Sequence, residues 1–248
     1  MQPILIIAAM PIETSLLEST LEDLVRHKSV GFEYVNGRLG KLKVIVCAGG
    51  VGKVNAAAAA TLLIERHQPR LVINTGCAGA YIDSGLSVGD LAIASEEVLA
   101  DEGVIIPSGW KDLEYMELPL LDNDGRHCFN TMPLSPDVSA TALQFASSNR
   151  IKLVPGRFAT VSTCSGTRQR GAELAERWGV IAENMEGAAV AQVCLRLAVD
   201  CLEVRGISNM VEERNIRKWE LNQAVEKAQS FVLKYLEDMG RNISAPRK

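Results

Sequence analysis

Six short apolar runs constrain this chain more than any other feature: "ILIIAA" (4–9), "KVIVCA" (43–48), "RLVINTG" (70–76), "DLAIAS" (90–95), "RFATVST" (157–163) and "CLEVRGIS" (201–208). They are continuous rather than alternating in hydrophobicity, the pattern of strands covered on both faces. Helical stretches separate most of them, near Ile12 to Val25, Lys53 to His67, Pro136 to Asn149, Thr167 to Trp178, Met185 to Val199 and Lys218 to Met239. Strand then helix, repeated, predicts an α/β chain in three layers, with helices on both sides of one sheet. The stretch from Asp101 to Pro136 carries too many Pro, Gly and Asn residues for regular structure and reads as a long surface excursion of the kind that forms binding loops.

At 248 residues the chain fits one large α/β domain. That domain is expected over residues 1–240, with 241–248 as a frayed tail. Acidic residues outnumber basic ones, 30 to 26, so nothing favours nucleic acid or an anionic membrane as a partner. The six cysteines are scattered, without a C-x-x-C pair or a nearby histidine. They read as reduced thiols, with no metal and no cofactor expected. The opening "MQPILIIAAMPIE" lacks a basic lead and is interrupted at Pro11 and Glu13, too early for a signal or spanning segment, so a cytoplasmic location is expected.

The stretch "CAGGVGKVNAAAAA" (47–60) imitates a nucleotide-triphosphate loop. Such a loop needs G-x-x-x-x-G-K-(S/T), its first glycine curling the backbone and its hydroxyl holding Mg²⁺. Here those positions are Cys47 and Val54, so the turn and the cation site are both lost. Gly49, Gly50 and Gly52 instead let a strand turn tightly into a helix whose small face, Ala56 to Ala60, can pack closely. Lys53 reads as an ordinary first-turn lysine.

Ligands of open α/β sheets gather at the carboxyl ends of strands, which here carry Glu13, Cys77-Ala78-Gly79, "STCSGT" (162–167) and Ser208-Asn209. The histidines His27, His67 and His127 lie outside these ends and read as surface residues, so a Ser-His or Cys-His mechanism lacks its base. Acid–base work falls to carboxylates. Glu13 and Glu186 stand among apolar neighbours; Glu13 also suits the first turn of a helix, whereas Glu186, beside tightly packing Gly187 and Ala188, needs hydrogen-bond partners such as sugar hydroxyls. Asn209 after its strand can both donate and accept in one plane, as a purine edge requires, or can simply form a turn. Cys77, with no base beside it, reads as a buried thiol.

Taken in order, "AAMPIE", "GGVGKVNAA", "INTGCAGA", "ENMEGAA" and "EVRGISN" resemble the nucleoside phosphorylase and nucleosidase family, in its 5'-methylthioadenosine/S-adenosylhomocysteine nucleosidase branch. "ENMEGAAVAQVC", "EVRGISNMVEERN" and the spacing of Trp219, Leu221 and Ala224 look more like its futalosine hydrolases. The resemblance implies a mixed, strongly twisted sheet and a homodimer. It also implies a nucleoside substrate, with Glu13 activating water, Glu186 and Met185 at the ribose, and Asn209 at the base. Cys77, Ala78, Gly79, Gly166, Thr167, Ser208 and Trp219 complete the expected binding set, Trp219 being equally suited to plain core. Asparagine replaces the aspartate of adenine-cleaving members, and its NH₂ can donate to a 6-oxo oxygen. The expected reaction is therefore hydrolysis of futalosine to hypoxanthine, the alternatives being an adenine-releasing nucleosidase or a non-catalytic nucleoside-binding protein. Ser165 and Gly166 stand where adenine nucleosidases stack an aromatic on the base. Arg168, Arg214 and Arg217 are the candidates for a carboxylate on the substrate's side arm.

Overall fold

The computed structural model describes residues 2–123 and 125–242. Its strands are β1 (Ile4–Ala8), β2 (Glu22–Ser29), β3 (Phe32–Leu39), β4 (Leu42–Ala48), β5 (Leu71–Ala80), β6 (Leu91–Leu99), β7 (Val104–Ile106), β8 (Gly109–Lys111), β9 (Leu121–Asn123), β10 (Arg126–Cys128), β11 (Thr131–Pro133), β12 (Leu153–Thr160), β13 (Val180–Asn184) and β14 (Asp200–Met210). The helices are α1 (Ser15–Thr20), α2 (Lys53–His67), α3 (Pro136–Ser148), α4 (Arg168–Trp178), α5 (Gly187–Arg196) and α6 (Leu221–Asn242), with single 3-10 turns at Pro11–Glu13 and Ile216–Lys218.

One sheet runs β11-β6-β12-β13-β5-β1-β4-β3-β2, and β14 pairs with both β5 and β6. Strands β5, β14, β6, β12 and β13 thereby close into a ring, from which β1 to β4 extend as an open wing. The sheet is mixed: β1 lies parallel to β4 and β5, while β13 runs antiparallel to β5 and β14 antiparallel to β6. Successive residues of a strand face opposite sides, and the core divides accordingly. Leu5, Ile7, Ile45 and Val72 pack with α2 and α5 on one face. Ile4, Ile6, Val44 and Ile73 pack with α3 and α6 on the other. The α/β/α sandwich with a mixed sheet is thus the observed architecture.

Several boundaries depart from the sequence reading. The helix expected over Ile12 to Val25 is a 3-10 turn, six residues of α1, and then β2. Leu21 adopts an extended conformation and ends α1, and "EDLVRHKS" pairs antiparallel with β3 through a turn in which Val30 and Gly31 both have positive φ, the two-residue hairpin geometry. Its polar composition suits an edge hairpin with one covered side, which periodicity alone confuses with a helix. The helix expected from Met185 begins only at Gly187, because 180–184 forms β13 and Glu186 is the N-cap of α5. The 101–136 excursion is more regular than expected, since it contains two small hairpins and the edge strand β11. His27 and His67 are half-buried rather than on the surface: His27 stacks on Tyr34 at 5.1 Å and His67 meets the same ring edge-on at 5.4 Å. Of the expected frayed tail, 241–242 belong to α6 and 243–248 lie outside the described residues.

Candidate active site

Where β1, β5, β13 and β14 end, a cavity of about 200 Å³ opens. Glu13, Cys77, Ala78, Gly79, Met185, Glu186, Ser208, Asn209 and Trp219 all line it. A wider groove of about 520 Å³ lies against α6, but two of its lysines are already engaged, Lys152 with Asp90 and Lys227 with the Gly89 carbonyl.

Glu13 is 1% exposed yet charged by type, and its backbone surroundings explain how it is tolerated. Oε2 accepts from the N–H groups of Ala9 (3.0 Å) and Met10 (2.9 Å), and Oε1 from that of Cys77 (2.9 Å). Buried polar groups persist when such partners are supplied. The approach depends on Gly76, whose φ of +148° suits glycine and whose missing side chain leaves the room that the Glu13 carboxylate fills.

Glu186 is held from two sides. Oε1 accepts from the Gly52 N–H at 2.9 Å, and Oε2 lies 3.5 Å from Nη1 of Arg205. Gly52, at φ +94°, is the N-cap of α2. The glycine run therefore delivers a helix N-terminus, with its partial positive charge, to a protein carboxylate rather than to a bound phosphate. Burial raises the Glu186 carboxyl above its ordinary range, and Arg205 and the Gly52 amide partly offset this. Asn184 Oδ1 accepts from the N–H groups of Glu186 and Gly187 at 2.9 and 2.7 Å, which fixes the turn into α5.

Beneath both carboxylates lies Arg205, fully buried, in a strand-end segment that draws attention in the sequence but where the arginine itself is given no role. Its Nε donates to Glu203 Oε1 at 2.8 Å, and its Nη1 to the Cys77 carbonyl at 3.3 Å. Burial alone would lower its pKa, but Glu203, Glu186 and Glu13 together raise it and keep it cationic. Glu97, 0% exposed, accepts from Thr160 Oγ1 and Asn184 Nδ2. Burial and the adjacent Glu203 push its carboxyl well up. Glu203 faces the guanidinium, so the acid of this pair whose carboxyl is raised is Glu97. The sequence did carry a signal for the arginine: Glu203 and Arg205, two apart in a strand covered on both faces, share one side and need each other.

The geometry bears on four of the remaining expectations. Gly166 and Thr167 lie outside the cavity lining: Thr167 caps α4 by accepting from Arg170 N, and the Gly166 carbonyl accepts from Arg214 N. The "STCSGT" loop contributes Cys164 and Ser165 instead. Lys53 is no idle first-turn residue, since its Nζ reaches Asp101 at 2.8 Å and Glu102 at 3.0 Å. Asp101 in turn accepts from Ser162 N at 2.6 Å, which ties the loop to α2. Cys77 is inert as a nucleophile, for burial and then the Glu13 charge push its thiol up to about 12. Among the arginine candidates only Arg214 lines the cavity, its guanidinium 4.7 Å above the Trp219 ring; Arg168 faces solvent near Glu212, and Arg217 is exposed.

Residues 3–237 match the family model of the phosphorylase superfamily. The chain belongs to that superfamily. A 5'-methylthioadenosine/S-adenosylhomocysteine nucleosidase of Bacillus thuringiensis (strain Al Hakam) is 32% identical over 244 residues, covering 95% of this chain and 99% of that protein. The crystal structure of an S-adenosylhomocysteine nucleosidase from Streptococcus pyogenes with 5-methylthiotubericidin superposes with a TM-score of 0.83 at 26% identity, covering 96% of this chain and 97% of that one. Futalosine hydrolase of Helicobacter pylori strain 26695 does so with a TM-score of 0.83 at 25% identity, covering 96% and 98%. The phosphorylase-superfamily chain described here is a nucleosidase, a hydrolase acting on N-glycosyl compounds.

Proposed function

We propose that the substrate is futalosine, cleaved by water at its N-glycosidic bond to give hypoxanthine and dehypoxanthine futalosine, a step of menaquinone biosynthesis. The observation that carries this reading is Arg214 lying over Trp219 at the cavity that also holds Asn209. Futalosine bears a benzoate on its side arm, which needs a cation and an apolar wall together. A methylthio arm needs no cation. In the cavity, Glu13 takes a proton from the attacking water and Glu186 accepts from the ribose hydroxyls beside Met185. Asn209 bonds the departing base as the ribose flattens toward an oxocarbenium ion. Ala78, Gly79 and Ser208 form the wall at the base, and Cys77 supplies the backbone N–H that holds Glu13.

The same reading places the protein in the cytoplasm as a homodimer. Val51 and Val54, exposed at the start of α2 beside the cavity, are the apolar surface a second copy would cover. Among the described residues no helix is long and apolar enough to cross a membrane.

Chromatography of the products from futalosine, aminofutalosine, methylthioadenosine and inosine, each with and without phosphate, tests the assignment. Hypoxanthine released from futalosine at a rate independent of phosphate is the expected result. Preferential release of adenine from methylthioadenosine, the substrate named for the Bacillus relative, would replace it with the adenine-releasing alternative.

A further inference from the structure

One carboxylate at the cavity takes no part in these roles. Glu183, 7% exposed, sits on β13 opposite Gly79 of β5, and Gly79 is paired on its other side with Asn209 of β14. Residues in register across neighbouring strands point to the same face of a sheet. With strands about 4.8 Å apart, Glu183 and Asn209 stand roughly 10 Å from each other at the backbone, on either side of a glycine. A Cβ on Gly79 would lie 3.1 Å from Asn209 Nδ2. The same Cβ would lie 3.2 Å from Val211 Cγ2, so the glycine leaves room for the Asn209 amide above β5, and Glu183, Gly79 and Asn209 all line the cavity.

Glu183 is anchored by two donors. Tyr81 Oη donates to its Oε2 and Ser165 N to its Oε1, both at 2.9 Å. Burial and then the Glu183 charge raise the Tyr81 phenol, which therefore remains a donor. Among the described residues no lysine or arginine pairs with Glu183. Two donors leave lone pairs unused on a carboxylate, and a buried carboxylate lacking a cation attracts further donors. The Ser165 hydroxyl, buried beside it, has no hydrogen-bond partner. Ser165 and Glu183 both line the cavity and keep hydrogen-bonding capacity there.

We infer that Glu183 selects the base, accepting the N1–H of a 6-oxopurine whose opposite edge is bonded by Asn209. The inference rests on the reading of the cavity as a nucleoside site. A 6-oxopurine carries a proton on N1, whereas adenine presents a lone pair there, which an acceptor oxygen cannot bond. The Ser165 hydroxyl can donate or accept and so serves either base. The substrate class that follows is nucleosides of 6-oxopurines, whatever their 5'-substituent.

Free-base binding tests this without requiring futalosine. Calorimetric titration of the wild-type protein with hypoxanthine, adenine and 1-methylhypoxanthine should show hypoxanthine favoured roughly 10- to 100-fold over both others, the range for a hydrogen bond to a charged group. Glu183→Gln keeps the size and partners of the side chain but removes its charge, and should shift the hypoxanthine-to-adenine ratio toward adenine by at least about tenfold. Glu183→Val removes the acceptor altogether and should do the same. A purely structural role would weaken all three bases together and leave the ratios unchanged. Unchanged ratios in Glu183→Gln, or equal binding of hypoxanthine and 1-methylhypoxanthine to the wild type, overturn the inference while leaving the futalosine proposal standing. Discrimination by Glu183 in a protein that does not cleave futalosine overturns that proposal alone.

Discussion

Replacing Gly76 by alanine should disable the enzyme from beneath the site, without replacing any residue assigned to the reaction. At φ +148° an L side chain is disfavoured, and a Cβ built there collides with Glu13 Oε1, with Glu13 Cδ at 2.9 Å and Arg205 Nη1 at 3.0 Å. Backbone strain of this kind costs about 1–3 kcal/mol. In a chain of this size each kcal/mol lowers Tm by roughly 2–4 °C. To escape the Cβ the Glu13 carboxylate must retreat by about 1 Å, and a misplacement of that size can cost roughly 10²-fold in rate. It would also give up the 2.9 Å bond from Cys77 N. Glu186 and Asn209 are not displaced, so kcat should fall about a hundredfold with KM changed by only a few-fold. Gly85→Ala is the matched control, because Gly85 has φ +77° with no atom within 4 Å of its Cβ. It should lose comparable stability and keep its turnover. Steady-state kinetics on both variants, alongside thermal melts, separate strain from displacement. Were Gly76→Ala to melt like Gly85→Ala and retain full kcat, the claim that Gly76 exists to seat Glu13 would be refuted.

Three further outcomes follow from the same geometry. Glu13→Gln turns an NH₂ toward at least one backbone N–H, so it should lose about 1–3 kcal/mol in denaturant melts, while turnover drops roughly 10²- to 10⁴-fold; undiminished turnover would remove Glu13 from the mechanism. Arg214→Met should raise KM for a carboxylate-bearing nucleoside by roughly 10- to 100-fold and leave inosine nearly unaffected, a split that steady-state kinetics on the two substrates will reveal or deny. Glu97 is held protonated in the folded state by burial and Glu203. Its contribution to stability is therefore fully present below the unfolded carboxyl value of about 4.3 and is lost as pH rises through the raised folded value. Glu97→Gln, which mimics the protonated form, should show a flatter decline in denaturant midpoint with rising pH than the wild type, and an identical slope would place the proton elsewhere.

How far the sequence discloses this molecule depends on what surrounds each residue. Strands β1, β4, β5 and β14 were legible because both their faces are covered, so most of their positions are apolar. The β2–β3 hairpin covers one face only and carries the charges of a solvated edge, and β13 ends in "AEN", whose polar residues turn inward. Neither pattern announces a strand. Glu13, Glu186 and Asn209 could be singled out because each follows an apolar run, and they do converge on one cavity. Thr167 sits immediately before a helix, where a hydroxyl serves best as a cap, and that local chemistry outweighed its place in the family motif. Glu97, Glu183, Glu203 and Arg205 share a different character. Each is a charge set within or at the end of an apolar strand, tolerable only in company, and the company comes from strands that are not neighbours in the chain. Sequence periodicity marks such residues as anomalous but cannot pair them.

The pairing explains why water rather than phosphate suits this member of the superfamily. Glu13, Glu186 and Glu203 surround a single guanidinium, Arg205, and the fourth acid of the cluster, Glu97, is neutral. The cluster is left with an excess of negative charge, in surroundings where charges interact more strongly than in water. A phosphate nucleophile would enter against that field. The backbone donor best placed to offset it, the Gly52 amide at the N-terminus of α2, is already bonded to Glu186 at 2.9 Å. Lys53, next to Gly52, is turned away to Asp101 and Glu102. The same excess favours a ribosyl group as it gains positive charge, so the interaction strengthens along the reaction coordinate rather than merely holding substrate. The stretch that imitates a phosphate loop thus has its anion site filled by the protein's own glutamate, and that occupancy supports hydrolysis.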